Sequence, residues 1–170
     1  IATIDFALDV QAAISRVRDN GEIPNTIVMS SAVYDRLRRS TLLKSFLVGS
    51  NLPGAQVNVN SIQQAFAADG ITQVLVGMGR YDSSKKNSTP AYTAAAFWNN
   101  TYVWVGKVAS GDPMNGGAGR TLGWNLEGGE YVSETYREEA TRSTIVRVRQ
   151  HTIEKVIDAA AGTSIATQYS

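Results

Sequence analysis

Strict alternation over Ile145-Val146-Arg147-Val148-Arg149 constrains this chain more than any other stretch. Successive side chains of a strand point to opposite faces, so Ile145, Arg147 and Arg149 share one face and Val146 and Val148 the other. An earlier run of alternating character begins near Glu130-Tyr131, and the acidic pair Glu138-Glu139 marks a short turn between the two. The segment from Glu130 to His151 therefore reads as a long β ribbon. At about 3.3 Å per residue such an arm is roughly 30 Å long. A ribbon this rich in Arg and Glu is poorly suited to a private hydrophobic core and well suited to lying against a neighbouring copy. Its candidate subunit-interface residues are Glu134, Arg137, Glu138, Glu139, Arg142, Arg147 and Arg149.

The remainder of the 170 residues suits one domain that carries this arm. A hydrophobic fraction of 43% is enough to bury a core, and charged residues make up only 18%. The formal net charge of +1 argues against a general nucleic-acid or membrane partner. The chain has no cysteine, which removes disulfides, thiol catalysis and thiolate metal sites and fits synthesis in a reducing cytosol. Neither a signal peptide nor an apolar run near the roughly 20 residues of a membrane span is visible. The chain opens on Ile1 rather than Met, and reads as a fragment or processed product.

Asp5 is a candidate N-cap for a first helix whose Phe6, Val10, Ala13, Ile14 and Val17 recur at helical spacing, with Asn20-Gly21 as the stop. Thr26 to Met29 reads as a buried strand. Ser30 or Ser31 caps a second helix reaching about Arg39, with Val33, Tyr34 and Leu37 inward. Leu42 to Val48 is apolar and of undecided form. Gly49 to Gly54 is a loop, and Asn60 or Ser61 caps a third helix that Gly70 ends. Val74-Leu75-Val76 is a second buried strand, Tyr102 to Val105 a third, and Thr121 to Leu126 and Val156-Ile157 are further candidates. Gly162 to Ala166 looks like a turn leading to a last short strand. Helices early and strands late argue for α+β rather than a doubly wound sheet.

No catalytic constellation competes with the ribbon. His151 is the single histidine, at the end of a charged strand, and is expected to be exposed or at an interface. Gly111 and Gly116 have phosphate-loop spacing, but Gly117 and Ala118 stand where Lys and Ser/Thr belong, so a mobile loop is expected. Gly77-Met78-Gly79 lacks the third glycine of a dinucleotide fingerprint. Gly79 to Pro90 is polar and reads as an exposed loop, and the Ser-x-x-Lys spacing from Ser83 to Lys86 within it lacks the packing that would depress a lysine pKa. Asn87-Ser88-Thr89 and Asn99-Asn100-Thr101 match the glycosylation pattern without a secretory signal. No cofactor, metal or catalytic residue is expected. The Arg residues of the ribbon are nearly cancelled by its Glu residues, whereas a nucleic-acid surface shows a basic excess.

Several segments together resemble a known family. They are Asp9 to Ile14; Ile23-Pro24-Asn25-Thr26-Ile27-Val28-Met29-Ser30 with Val33 to Arg38; Ile71 to Gly77; Phe97-Trp98; and Tyr136 to Arg149, followed by Val156-Ile157-Asp158 and Ala161-Gly162. In order and spacing they resemble tailed-bacteriophage major capsid proteins of the lambda head-protein group. The resemblance implies the α+β coat fold shared by tailed phages, herpesvirus shells and encapsulins: an axial domain with a central mixed sheet and flanking helices, and a peripheral β ribbon. On that mapping residues 1–126 resemble the axial domain, and 127–170 the ribbon and its C-terminal return. The arm, extended loop and spine helix that normally open the family have no counterpart here. The resemblance implies self-assembly into pentamers and hexamers of an icosahedral head enclosing phage DNA, within a virion assembled in bacterial cytoplasm. Further implied partners are scaffold, portal and decoration proteins and DNA held without sequence-specific binding, with no membrane and no enzyme activity. Arg80, Lys85 and Lys86, or Asn115, Gly116 and Gly117, are candidates to line the capsomer axis.

Three rival readings are an encapsulin-type compartment shell, a small soluble α+β enzyme or ligand-binding domain with a concave polar pocket, and a nucleic-acid-binding module with steeply salt-dependent affinity.

Overall fold

The structure is a computed structural model, and it describes residues 5–48, 57–85, 92–109, 111, 115–124 and 131–166. Helices come first: α1 (Phe6–Asp19), α2 (Ser31–Leu37), α3 (Thr41–Val48) and α4 (Val59–Ala65), with strand β1 (Thr26–Ser30) between α1 and α2. Strands follow: β2 (Gln73–Gly77), β3 (Arg80–Asp82), β4 (Ala94–Ala96), β5 (Tyr102–Gly106), β6 (Gly119–Gly123), β7 (Val132–Glu138), β8 (Ser143–Arg149), β9 (Thr152–Val156) and β10 (Gly162–Ala166). The chain forms two compact units, 1–118 with 158–170, and 119–157.

The first unit is built on a mixed sheet of order β10-β5-β1-β2. β1 runs parallel to β2, with Ile27 beside Val74, and antiparallel to β5, with Ile27 beside Val105. β10 pairs antiparallel with β5, Thr163 beside Val105. β1 lies inside the sheet, which is why its apolar run is continuous: Thr26, Ile27, Met29 and Ser30 are all buried. α1 packs on β5 and β10 through Phe6, Val10, Ala13 and Ile14, the periodic face expected of it. Val33, Leu37, Leu43, Ile62 and Phe66 from the other helices complete the core with Met29, Ile71 and Val103.

Local chemistry sets the helix ends. The Asp5 carboxylate accepts the Ala7 N–H at 2.9 Å, and Gly21 takes φ +86° after Asn20. Ser30 is the cap of α2, its hydroxyl accepting the Val33 N–H at 3.2 Å, but α2 stops at Leu37 rather than Arg39. The reason is a tight turn in which the Arg39 and Ser40 N–H groups bond Arg36 and Leu37 carbonyls. Ser40 then accepts from Leu43 N–H at 3.3 Å, and the undecided apolar segment becomes α3. α4 starts earlier than expected. Asn58, not Asn60 or Ser61, is its cap: Asn58 Oδ1 accepts from Ser61 N–H at 2.7 Å while the Ser61 hydroxyl accepts from Asn58 N–H at 3.0 Å.

Three strand expectations need correction. Val74-Leu75-Val76 is strand but not uniformly buried, because β2 is a sheet edge; Val74 is buried and Leu75 is 43% exposed. Gly162–Ala166 is itself strand β10 and not a turn, because a row of hydrogen bonds to β5 holds it extended. Arg80–Asp82 is strand β3, paired with β4, and not part of a continuous loop. The compact units also depart from a boundary at 126/127, since residues 158–166 belong with the sheet of the first unit. Residues 49–54, Lys86, 87–89, 112–114 and 125–130 lie outside the described residues, and with them the expectations placed there.

The second unit consists of two antiparallel ribbons. β6 pairs with β9, Leu122 opposite Ile153, and β7 pairs with β8, Glu134 opposite Arg147. None of its described residues is buried.

Candidate interaction surfaces

The β7–β8 register divides the expected interface residues between two faces. Val132, Glu134 and Tyr136 lie opposite Arg149, Arg147 and Ile145, while Ser133, Thr135 and Arg137 lie opposite Val148, Val146 and Thr144. The first face holds the charges, and it answers part of them itself. Arg149 donates to the Glu134 carboxylate, one strand position diagonal to the Glu134–Arg147 pair. Arg149 Nε has no hydrogen-bond partner and is shielded from solvent. Arg147 forms no ion pair among the described residues.

At the turn, Arg137 pairs with Glu139 at 3.0 Å, with both side chains largely exposed. The Glu138 carboxylate accepts from the Thr141 hydroxyl at 2.8 Å. Arg142 closes the turn at φ +47°, a left-handed conformation unusual for a residue with a Cβ. Exposed pairs of this sort contribute about 0–1 kcal/mol. Their value here is register: they favour the alignment that sets Val146 opposite Thr135 and Val148 opposite Ser133.

That opposite face is uncharged between Arg137 and the ribbon base. Val146 is 65% exposed and Val148 63%, with Thr135, Ser133 and Thr144 around them. Beyond the ribbon, Trp124 N–H donates to the His151 carbonyl at 2.9 Å and extends the β6–β9 pairing. Leu122, Gly123, Trp124, Gln150, His151, Thr152 and Ile153 line an open hollow of about 670 Å³. Trp124 is 74% exposed and His151 is exposed, so the hollow lacks the buried polar group of an active site. The sequence alone pointed to a His151 that is exposed or at an interface; nothing in it signalled that Trp124 and Ile153 would share its hollow, because their meeting depends on the β6–β9 register.

The two expected axial loops differ from each other. Arg80 and Lys85 are exposed, but Arg80 belongs to β3. Alternation along β3 puts Arg80 and Asp82 on one face and Tyr81 on the other, where its ring lies 4.9 Å from that of Phe97. Asp82 ties the neck of the 83–93 connection: its carboxylate accepts the Ser84 N–H at 2.9 Å and the Thr93 N–H at 3.1 Å. These donors, Ser84 first, hold its pKa below the usual carboxylate value.

The glycine-rich stretch, expected to be the most mobile, is docked at its far end. Gly117 is buried, and a Cβ there would lie 2.8 Å from the Ala109 backbone nitrogen. A Cβ at Gly116 would lie 2.6 Å from the Glu22 carboxylate, which itself accepts from Lys107 Nζ at 2.6 Å. Ala118 N–H bonds the Lys107 carbonyl at 2.9 Å. Close backbone approach, and not freedom, explains these glycines. Asn115 is exposed beside them.

Among the described residues there is no group of three or more His, Cys, Asp or Glu side chains able to hold a metal ion, and no helix long and apolar enough to cross a membrane.

A central mixed sheet with flanking helices and separate β ribbons is a fold found in phage-related proteins. One solved example is a phage-related protein of Bordetella bronchiseptica RB50, 19% identical, with a TM-score of 0.75 over 97% of this chain and 52% of that one. A second is a candidate capsid protein of a prophage in E. coli CFT073, 14% identical, with a TM-score of 0.52 over 97% of this chain and 48% of that one. The chain thus spans about half the length of each. No family model and no curated protein matches it.

Proposed function

We propose that this chain is the axial-domain and ribbon portion of a tailed-phage major capsid protein, a structural protein that assembles with its own copies into pentamers and hexamers of a DNA-enclosing head. The observation that carries this reading is the second unit. It exposes Leu122, Trp124, Tyr131, Val146, Val148, Ile153 and Val156 and buries none of its described residues. Two-stranded ribbons without a covered face are marginal in water, so these exposed apolar side chains favour burial against a partner. A fold likeness to a candidate prophage capsid protein supports the same reading.

Closed symmetry supplies what one contact lacks, because every copy repeats the same weak contact around a ring. The chain's net charge of +1 suits a wall that contains DNA without gripping it. Its role is mechanical and not catalytic, its location the virion, and its partners its own copies, with scaffold, portal and decoration proteins as further partners.

The test is to express the complete protein from its natural start codon and image it by negative-stain electron microscopy. Closed shells or capsomer rings are expected. A monomer that persists across salt and protein concentration overturns the reading.

A further inference from the structure

We infer that the uncharged face of the β7–β8 ribbon, centred on Val146 and Val148 with Thr135 opposite, is the surface that packs against a second copy of this chain, while the Glu134–Arg149 face aligns the ribbon. This rests on the assembly reading above and assigns its contact to one side of one hairpin.

Three observations converge on it. First, the charged face is partly self-satisfied: Arg149 and Glu134 pair within the ribbon, so adding a neighbour there would first have to desolvate an existing pair. The other face has no such cost; Val146 and Val148 already stand 65% and 63% exposed. Second, that face offers nothing to a charged partner. Ser133, Thr135, Thr144, Val146 and Val148 carry no charge, and only Arg137 at the turn end does. A nucleic acid or an acidic peptide would find one cation, whereas a copy of the same face meets β-branched side chains of matching character without like-charge repulsion.

Third, the area selects the kind of partner. Two strands of seven residues present a face of about 23 Å by about 10 Å, or roughly 230 Å². A stable two-body complex covers about 800 Å² per partner. A freely diffusing protein would not be retained by so small a face. A copy already held nearby by ring closure would be, because its effective concentration is high.

These 170 residues contain no cysteine, so none of them competes for label, and any cysteine elsewhere in the full-length protein is first replaced by serine. Full-length protein is purified alone, so any neighbour is another copy. Val146→Cys, Thr135→Cys and Arg147→Cys are compared for maleimide labelling in the assembled state and as dissociated monomer. Val146 and Arg147 are adjacent in β8 and point to opposite faces. Assembly should slow labelling at V146C and T135C by about tenfold or more, as packing at interior density does, and leave R147C within about twofold. Equal rates at V146C in the two states, protection of R147C in place of V146C, or equal protection of both overturns the face assignment. Protection of V146C already in the monomer shows that the chain covers its own ribbon and overturns the second-copy partner. If wild-type protein never assembles, the underlying coat reading fails instead, and microscopy records that separately.

Discussion

Asn25 and Val108 exchange two hydrogen bonds, Asn25 Nδ2 donating to the Val108 carbonyl at 2.9 Å and Val108 N–H donating to Asn25 Oδ1 at 2.8 Å. The side-chain amide imitates a strand residue and carries the β1–β5 pairing past the Asn25 N–H bond to Gly106. Its own carbonyl accepts from the Thr72 and Gln73 N–H groups at the start of β2. One asparagine after Pro24 thus registers three strands of the sheet. Asn25→Ala should lower stability by about 0.5–1.5 kcal/mol, the net worth of hydrogen bonds whose Val108 partners water can reach. Asn25→Asp retains the acceptor but sets a carboxylate oxygen against the Val108 carbonyl, and should cost at least as much at neutral pH. Urea unfolding of both variants checks the order; equal stability of wild type and N25A would remove the role assigned here.

Gly162 and Gly106 are opposite each other in β10 and β5 and make the bed for the Trp104 ring. A Cβ on Gly162 would lie 2.7 Å from both Trp104 Cζ2 and Nε1. Gly162→Ala should therefore displace the indole and cost about 1–3 kcal/mol by overpacking. Near-ultraviolet circular dichroism and tryptophan fluorescence should report the moved ring, and an unchanged spectrum at unchanged stability would contradict the packing described.

Asp82 gives the β3–β4 neck a pH dependence of known sign. The Ser84 and Thr93 N–H groups favour the ionised carboxylate, so its folded pKa lies below the unfolded value of about 3.9. The stabilisation is complete above the unfolded pKa and is lost as pH falls through the lower, folded one. Amide exchange at Ser84 and Thr93 should accelerate on acidification in that window. Asp82→Asn keeps an acceptor that does not titrate and should abolish the response.

Glu134→Gln tests whether the ribbon's ion pair is a matter of alignment more than of strength. With both side chains about 40% exposed, the Arg149 pair should contribute no more than about 1 kcal/mol, less in high salt. The expected result is a small, salt-dependent fall in stability with β7–β8 pairing retained, read by cross-strand nuclear Overhauser effects. Loss of the ribbon would mean that the pair holds it together outright.

Elements whose pattern is local were legible before the structure. α1 announced itself through Asp5, a five-residue apolar repeat and Asn20-Gly21, and β8 through the alternation of Ile145 to Arg149. What escaped depended on partners distant in sequence. β10 looked like a turn because Gly162 and Ser164 are poor strand formers; it is extended because β5 supplies its hydrogen bonds. Leu75 looked buried because the sequence cannot say which strand is an edge. Gly116 and Gly117 looked mobile because a glycine required for close approach is indistinguishable, in sequence, from one required for a turn. The candidate interface residues followed the same division. Their placement on a ribbon was foreseen, but the pairing of Glu134 with Arg149 is diagonal and emerges only from the register.

The position of β10 also sets an order of events at the ribosome. β5 and β1 are translated long before residues 162–166, and everything from β6 to β9 emerges between them. Until synthesis reaches Ala166, the β5 edge carrying Tyr102 to Gly106 has backbone donors and acceptors open on one side. The nascent chain therefore displays its β7–β8 hairpin while its own sheet is still unsealed. A chain cut short within that interval would keep the β5 edge unpaired, an adhesive edge that residues 162–166 cover in the finished sheet.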